Sequence, residues 1–196
     1  ICSKKTLPIY SSKFPSSLKE VINNLSSLKK LFIKEKNSVF LIGPGSGVNQ
    51  LTKERTKLIL KNSKYAIIDA DALTSFKNNT KELYGLLDNN KIITPHIKEF
   101  HRIFPFIKKN ISNHEKIVRA SKFCNCTIVL KGSNTLIYSP RNKIVMNKHT
   151  SSELATIGSG DVLSGIISSL VGTNKLNPFL ASCAGVWIHG NIAKKF

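Results

Sequence analysis

The chain has 196 residues, 41% of them hydrophobic, and a formal charge of +19. That length and composition suit one sizeable core and exclude a disordered chain. No apolar run reaches the about 18 residues of a membrane span, and no secretory pattern opens the sequence, so a cytoplasmic protein without membrane association is expected. The charge suits either nucleic acid or a lysine-rich surface that draws in small anions. The lysines are scattered and the arginines are only Arg55, Arg102, Arg119 and Arg141, whereas base reading and bidentate phosphate contacts favour Arg. Nucleic acid is therefore not the expected partner.

Cys2, Cys124, Cys126 and Cys183 show neither a disulfide framework nor paired metal-ligand spacing, and are read as reduced thiols. Cys124 and Cys126 alternate as strand neighbours would.

Residues 16–35 place Leu18, Val21, Ile22, Leu25, Leu28, Leu31 and Phe32 at a helical spacing interrupted by Ser and Asn. Residues 38–42 are a short apolar run of the buried-strand type, ending in Gly43-Pro44-Gly45-Ser46-Gly47. A helix is expected from about residue 52 to 62, completing a strand, loop and helix. Such loops bind ligands at the carboxyl ends of parallel strands, though this one reads equally well as a tight turn. It is not a Walker loop, because no Gly-Lys-Ser/Thr follows.

A second strand at 65–69 ends in Asp69-Ala70-Asp71. Acids there could hold magnesium or a ribose; Asp71 is read first as the cap of the following helix and Asp69 as a supporting group. A third strand at 91–96 stops at Pro95, and His96 and Glu99 lie one turn apart on a helix at 97–104. His-x-x-Glu alone does not make a metal site, so no transition metal is expected. An amphipathic helix at 113–123 carries Ile117, Val118 and Phe123. A fourth strand at 127–130 leads to Lys131-Gly132-Ser133-Asn134-Thr135, a lysine followed by small polar residues that suits a nucleotide phosphate. Residues 136–138 and 143–146 read as a hairpin, and a last helix runs from 178 to about 194. Alternating strands and helices argue a mostly parallel α/β sheet with an antiparallel hairpin at one side, in a single domain over 1–196.

The chain turns on Gly158-Ser159-Gly160-Asp161 and the apolar helical pattern that follows. The first turn of a helix offers unpaired N–H groups and a partial positive charge, and glycines let the backbone approach a phosphate or an oxyanion. Asp161 beside such an anion could take a proton from a hydroxyl. It could equally be an acid that complements the helix dipole.

Together these segments resemble the NAD(P)H-hydrate dehydratase family of the ribokinase-like superfamily. The matching pieces are Gly43-Pro44-Gly45-Ser46-Gly47, Asp69-Ala70-Asp71-Ala72-Leu73, Thr94-Pro95-His96 with Glu99, Lys131-Gly132 with Thr135, Gly158-Ser159-Gly160-Asp161, and His189-Gly190. The resemblance covers nearly the whole chain and implies a ribokinase-like three-layer sandwich. It implies a nicotinamide nucleotide repair enzyme, a carbon–oxygen lyase that dehydrates NAD(P)H hydrate to NAD or NADP coenzyme in reduced form, using ADP in bacteria or ATP in eukaryotes, with Mg2+ as counter-ion. By the same carry-over Asp161 activates the hydroxyl that is phosphorylated, and Gly158, Ser159 and Gly160 form the anion hole. Gly47, His96 and Asp161 line the hydrate site, while Lys131, Gly132, Ser133, Asn134, Thr135 and Gly160 hold the nucleotide. A homo-oligomer is expected.

The sequence departs from the family in four places. Ile157 stands where the family has a second glycine, and a branched residue there would crowd the anion hole or alter the turn. Ser151-Ser152-Glu153-Leu154 replaces Asn-Pro-Gly-Met, and Ile97-Lys98 follows His96 where the family has Pro-Gly. The family's amino-terminal unit is expected to be missing, with a short piece at the carboxyl end. The alternatives are a vitamin-precursor or sugar kinase of the same superfamily, or an inactive partial chain.

Overall fold

A computed structural model describes residues 1–35, 37–148, 154 and 156–193. The chain packs as two compact units, Ile1–Lys36 and Asn37–Phe196. The first holds helices α1 (Leu7–Lys13) and α2 (Leu25–Lys34) and a parallel bridge between Cys2 and Val21. Of the helical spacing read over 16–35, only the second half, Leu25–Lys34, is helix. Asn24 restarts the chain: its backbone is extended (φ −148°, ψ 172°) and its side chain accepts the Ser27 N–H at 2.8 Å. A capping side chain of this kind ends the helical pattern on its amino side. Leu18, counted in that pattern, is fully exposed, whereas Leu28 and Phe32 are buried.

The second unit is a six-stranded sheet in the order β1-β2-β3-β4-β5-β6, with β1 Val39–Ile42, β2 Tyr65–Ile68, β3 Lys91–Ile93, β4 Thr127–Leu130, β5 Thr135–Tyr138 and β6 Val145–Asn147. The first four strands run parallel; β5 and β6 are antiparallel. The mostly parallel sheet with an antiparallel side is as the sequence predicts. Between the strands lie α3 (Gln50–Asn62), α4 (Ala70–Thr74), α5 (Thr80–Tyr84), α6 (Ile97–Ile103) and α7 (Asn113–Cys124). After the sheet come α8 (Ser159–Gly172) and α9 (Pro178–Ile192). The short α5 was not legible in the sequence.

Side chains alternate across a strand, and the parallel strands are apolar on both faces. Ile67, Ile92, Val129 and Ile137 pack with Leu163, Ile167 and Val171 of α8 and Ala181 and Val186 of α9. Their neighbours Ala66, Ile68, Ile93 and Ile128 are equally buried and face the other way, where α7 contacts β4 and β5 and α3 contacts β2. The result is three layers, helix, sheet and helix, as a parallel sheet requires. Cys124 and Cys126 are not strand neighbours. Cys124 ends α7, Asn125 takes the left-handed conformation (φ 50°), and Cys126 leads into β4. Asn tolerates that conformation better than most residues, so the alternation marks a helix end.

One glycine fixes how the active edge is built. Gly43, just after β1, has φ +133°, and a Cβ placed on it would lie 1.8 Å from the Asp69 carbonyl oxygen. The backbone after β2 therefore passes against the backbone after β1, which the Asp69 N–H ties to the Ile42 carbonyl at 3.1 Å. Gly43→Ala combines a forbidden φ with a backbone clash, and is expected to cost at least about 3 kcal/mol in urea unfolding. A loss below about 1 kcal/mol would contradict the close approach.

Candidate active site

The loops after β1, β2, β3 and β4 leave the sheet at the same edge, side by side, because these strands are adjacent and parallel. They carry Gly47, Asp69 with Asp71, Thr94 with His96, and Lys131. The pairing of β3 with β4 runs one step beyond the strands. The Lys131 N–H donates to the Pro95 carbonyl at 2.9 Å, and His96 and Lys131 form a parallel bridge. His96 and Lys131 are therefore held at neighbouring strand ends.

Asp69 is the centre of the arrangement. It is 0% exposed. Its Oδ1 accepts the Ala70 N–H at 2.8 Å and the Lys131 Nζ at 2.6 Å, and its Oδ2 accepts the Ser164 hydroxyl of α8 at 2.7 Å. The Thr94 hydroxyl lies 3.4 Å from that of Ser164. One carboxylate thus joins the ends of β2 and β4 to α8. A buried carboxylate needs such partners, since an uncompensated charge in the interior is costly. Ala70, directly after it, has φ 44°, a left-handed conformation that a non-glycine residue holds only under constraint.

The sequence reading of the two acids is corrected here. Asp69, not Asp71, caps α4. Asp71 lies in the first turn, and its carboxylate accepts the Gly47 N–H at 2.8 Å. The reason is the placement of the helix start at Ala70, two residues beyond Ile68, which puts the extended backbone of a cap at Asp69. Asp71 is then free to hold the glycine loop, so Gly47 is tied to the site through α4.

His96 caps α6. Its ring Nδ1 accepts the N–H groups of Lys98 and Glu99 at 3.1 and 3.2 Å, and the Glu99 carboxylate returns to the His96 N–H at 2.9 Å. This capping box satisfies the open donors of the helix start. Because Nδ1 accepts, the neutral ring carries its proton on Nε2. The side chain is half-exposed, with Nε2 3.5 Å from the Glu99 carboxylate. It offers an N–H donor to a ligand and no acceptor.

The central turn opens α8. Gly158 is the cap residue at φ +89°, and no side-chain hydrogen bond caps the helix. The Ser159 N–H donates to the Thr156 carbonyl at 3.3 Å, which leaves the first-turn N–H groups of Gly160 and Asp161 to face an anion. A Cβ placed on Gly160 would lie 3.3 Å from Lys131 Nζ, so the lysine head stands at the mouth of α8. Asp161 follows in the first turn and is exposed. It lies three residues before Ser164, a neighbouring position on the helix surface. Ser159 places its hydroxyl 3.5 Å from Nε2 of His189 in α9. Burial pushes the His189 imidazole below its ordinary pKa, against a smaller opposing hydrogen bond with Ser159.

That shift has a sign for stability. The folded state binds fewer protons at His189 than the unfolded chain as pH falls through the ordinary imidazole value of about 6.5. The protein is expected to lose melting temperature on that side of neutrality, and His189→Gln to lose less of it between pH 7.5 and 5.5. Parallel melting curves for both proteins would remove His189 from the acid sensitivity.

Other predicted residues lie at the rim. Gly132, Ser133 and Asn134 are exposed in the turn between β4 and β5, and the Thr135 hydroxyl donates to the Gly132 carbonyl at 3.2 Å. Ile157 is 106% exposed and its φ is not positive, because the αL step falls on Gly158, one residue later. Ile157→Gly is accordingly expected to leave nucleotide affinity and turnover within about twofold, and to cost up to about 1 kcal/mol of stability through backbone entropy. A clear gain in turnover would show that the side chain obstructs after all. The departure at 151–154 lies outside the described residues except for Leu154.

Ser164 and Thr94 were not singled out from the sequence as site residues. Both hydroxyls are fully buried, but α8 carries three further serines, so no local pattern in the sequence marks Ser164.

A family model described as NAD(P)H-hydrate dehydratase matches residues 9–196. The chain belongs to the NAD(P)H-hydrate dehydratase family. Among its relatives, the bifunctional NAD(P)H-hydrate repair enzyme Nnr of Thermosynechococcus vestitus is 32% identical over 162 residues, covering 81% of this chain and 30% of that protein. The ADP-dependent (S)-NAD(P)H-hydrate dehydratase of Neisseria meningitidis is 31% identical over 186 residues, covering 92% and 60%. The chain thus spans less than two thirds of the length of these relatives. A Streptococcus mutans protein of similar structure has a TM-score of 0.81 at 22% identity, covering 98% of this chain and 69% of that one. The ADP/ATP-dependent NAD(P)H-hydrate dehydratase of Bacillus subtilis, co-crystallised with ATP and Mg2+, gives 0.78 at 23%, covering 98% and 68%. These similarities establish the ribokinase-like fold of the family in this chain.

Proposed function

We propose that this chain carries the ADP-dependent dehydration of NAD(P)H hydrate, as a lyase of the cytoplasm. The observation that carries the reading is the meeting of the Lys131 ammonium with the uncapped first turn of α8 at Gly160, beside an exposed Asp161. A cation, a row of N–H donors and a carboxylate are the groups that transfer of a phosphoryl group to a hydroxyl requires.

The residues fit a nucleotide diphosphate. Lys131 uses one of its ammonium protons on Asp69 and keeps the others for phosphate oxygens. The absent Cβ of Gly160 leaves the space in front of that ammonium. Gly132, Ser133, Asn134 and Thr135 extend the polar rim. Among the described residues no three His, Cys, Asp or Glu side chains cluster as a metal site. Magnesium that arrives on the phosphates, keeping its waters, suits such a site.

In this reading Asp161 takes the proton of the hydrate hydroxyl as it attacks the terminal phosphoryl group of ADP. AMP leaves, and the hydroxyl has become a phosphate ester. Elimination then breaks the carbon–oxygen bond while the adjacent ring carbon gives up a proton to solvent, which releases inorganic phosphate and restores the ring double bond. The N–H groups around Gly160 and Asp161 hold the charge that develops on the transferring group. His96 donates from Nε2 to the substrate, and Gly47 lets the backbone approach it.

The same reading includes a homo-oligomer. The exposed Leu180 and Trp187 of α9, seven residues apart on one helix face, support it. Among the described residues no helix is long and apolar enough to cross a membrane.

Product analysis tests the function. With ADP, Mg2+ and NADPH hydrate, the expected products are AMP, phosphate and NADPH. A stable phosphorylated alcohol, with no NADPH regained, would make the chain a kinase instead. Lys131→Ala is expected to weaken ADP binding by about 1.5–3 kcal/mol, the worth of a hydrogen bond to a charged group. Equal affinity in calorimetry would place the phosphates elsewhere.

A further inference from the structure

We propose that Asp69 is a positioning residue for the nucleotide, whose buried carboxylate fixes the Lys131 ammonium at the mouth of α8 before any phosphate arrives. The inference rests on the nucleotide site proposed above and assigns to it a residue that does not touch the ligand.

Both oxygens of Asp69 are engaged, Oδ1 by Ala70 and Lys131 and Oδ2 by Ser164. The carboxylate is fully buried and cannot turn without breaking one of these bonds. Ser164 lies four residues beyond Gly160 in the same helix. The same group therefore holds both the helix that presents the N–H donors and the cation that faces them. The Lys131 side chain keeps 19% exposure, so its head is clamped from behind and open in front. A lysine on a free stem loses rotamer freedom when it grips a phosphate. Here that freedom is already lost, which is how preorganisation raises affinity. Lys131 also stands between Asp69 and the expected phosphates, which screens the anion from the carboxylate.

Two simpler roles give different results. If Asp69 only neutralised Lys131, its removal would strengthen ADP binding. If it only supported the fold, its removal would act equally with and without Lys131.

The test is a thermodynamic cycle on ADP binding with Mg2+, read by calorimetry, in the wild type, Asp69→Asn, Lys131→Met and the double variant. Asn keeps the shape of Asp69 and an acceptor for the Ala70 N–H. Asp69→Asn is expected to weaken ADP by about tenfold and Lys131→Met by about 10- to 100-fold. The double variant is expected to bind no more weakly than Lys131→Met. Unchanged or tighter binding in Asp69→Asn, or losses that multiply in the double variant, would overturn the proposal.

If Asp69→Asn does not fold, Ser164→Ala takes its place. It is expected to weaken ADP by about two- to fivefold when Lys131 is present and not at all beside Lys131→Met. The same loss in both backgrounds would overturn the proposal. ADP binding without NADPH formation would refute the dehydratase reading and leave the cycle as the judge of Asp69. No ADP binding by the wild type would overturn the nucleotide site and this inference together.

Discussion

Asp161→Asn is expected to lower hydrate turnover by about 10²–10⁴-fold, the range of general-base catalysis, while changing stability by at most about 1 kcal/mol. The two effects separate because of where Asp161 sits. It is exposed in the first turn of α8, outside the packed face formed by Leu163, Ile167 and Val171. Asn keeps its size and still complements the helix start through its amide oxygen, but cannot take a proton. ADP affinity is expected to hold or rise, since a negative charge beside the phosphates is removed. Turnover, ADP affinity and melting temperature measured on one preparation decide the matter. Turnover within a few-fold of the wild type would make Asp161 a dipole-complementing residue and leave the site without its base.

Asp69→Ala is expected to destabilise the fold by about 3–5 kcal/mol. The alanine removes the cap of α4, the acceptor of the Ser164 hydroxyl and the counter-charge of Lys131 at one stroke. What remains is an ammonium, 19% exposed on its side chain, without its carboxylate. Breaking one half of a buried pair costs more than the pair contributes, because the surviving charge is left uncompensated. Asp69→Asn is expected to cost clearly less, since its amide can still accept from Ala70 and exchange a hydrogen bond with Ser164. Urea unfolding of the two variants side by side is the measurement. Equal small losses, below about 1 kcal/mol, would show that the contacts at Asp69 contribute little.

The parallel sheet was readable because its strands are continuous apolar runs, as at Ile67-Ile68 and Ile92-Ile93, bounded by Gly, Asp or Pro at their carboxyl ends. The same punctuation marks the ligand edge and the Lys131 loop; Gly47 and His96 were named as site residues only through the family resemblance. What local sequence could not supply was contact over distance. Ser164 lies 95 residues from Asp69 and Lys131 62 residues from it, and no spacing rule joins them. Asp71 was read as a cap because caps are recognised one residue at a time. The structure decides between two acids by where the backbone leaves β2. The helix over 16–35 failed for a related reason, since Asn24 was counted as an interruption and not as a start. Position in the motif alone left Ile157 either to crowd the anion hole or to alter the turn, whereas the residue is exposed and the left-handed step falls on Gly158.

The most direct test of the account is the stoichiometry of the complete reaction. The protein is mixed with ADP, Mg2+ and NADPH hydrate, and AMP, phosphate and NADPH are followed together. Transfer to the hydroxyl at the mouth of α8 followed by elimination predicts one AMP and one phosphate for each NADPH regained, with all three abolished together in Asp161→Asn. Release of AMP and phosphate without NADPH, or recovery of NADPH without consumption of ADP, would contradict it.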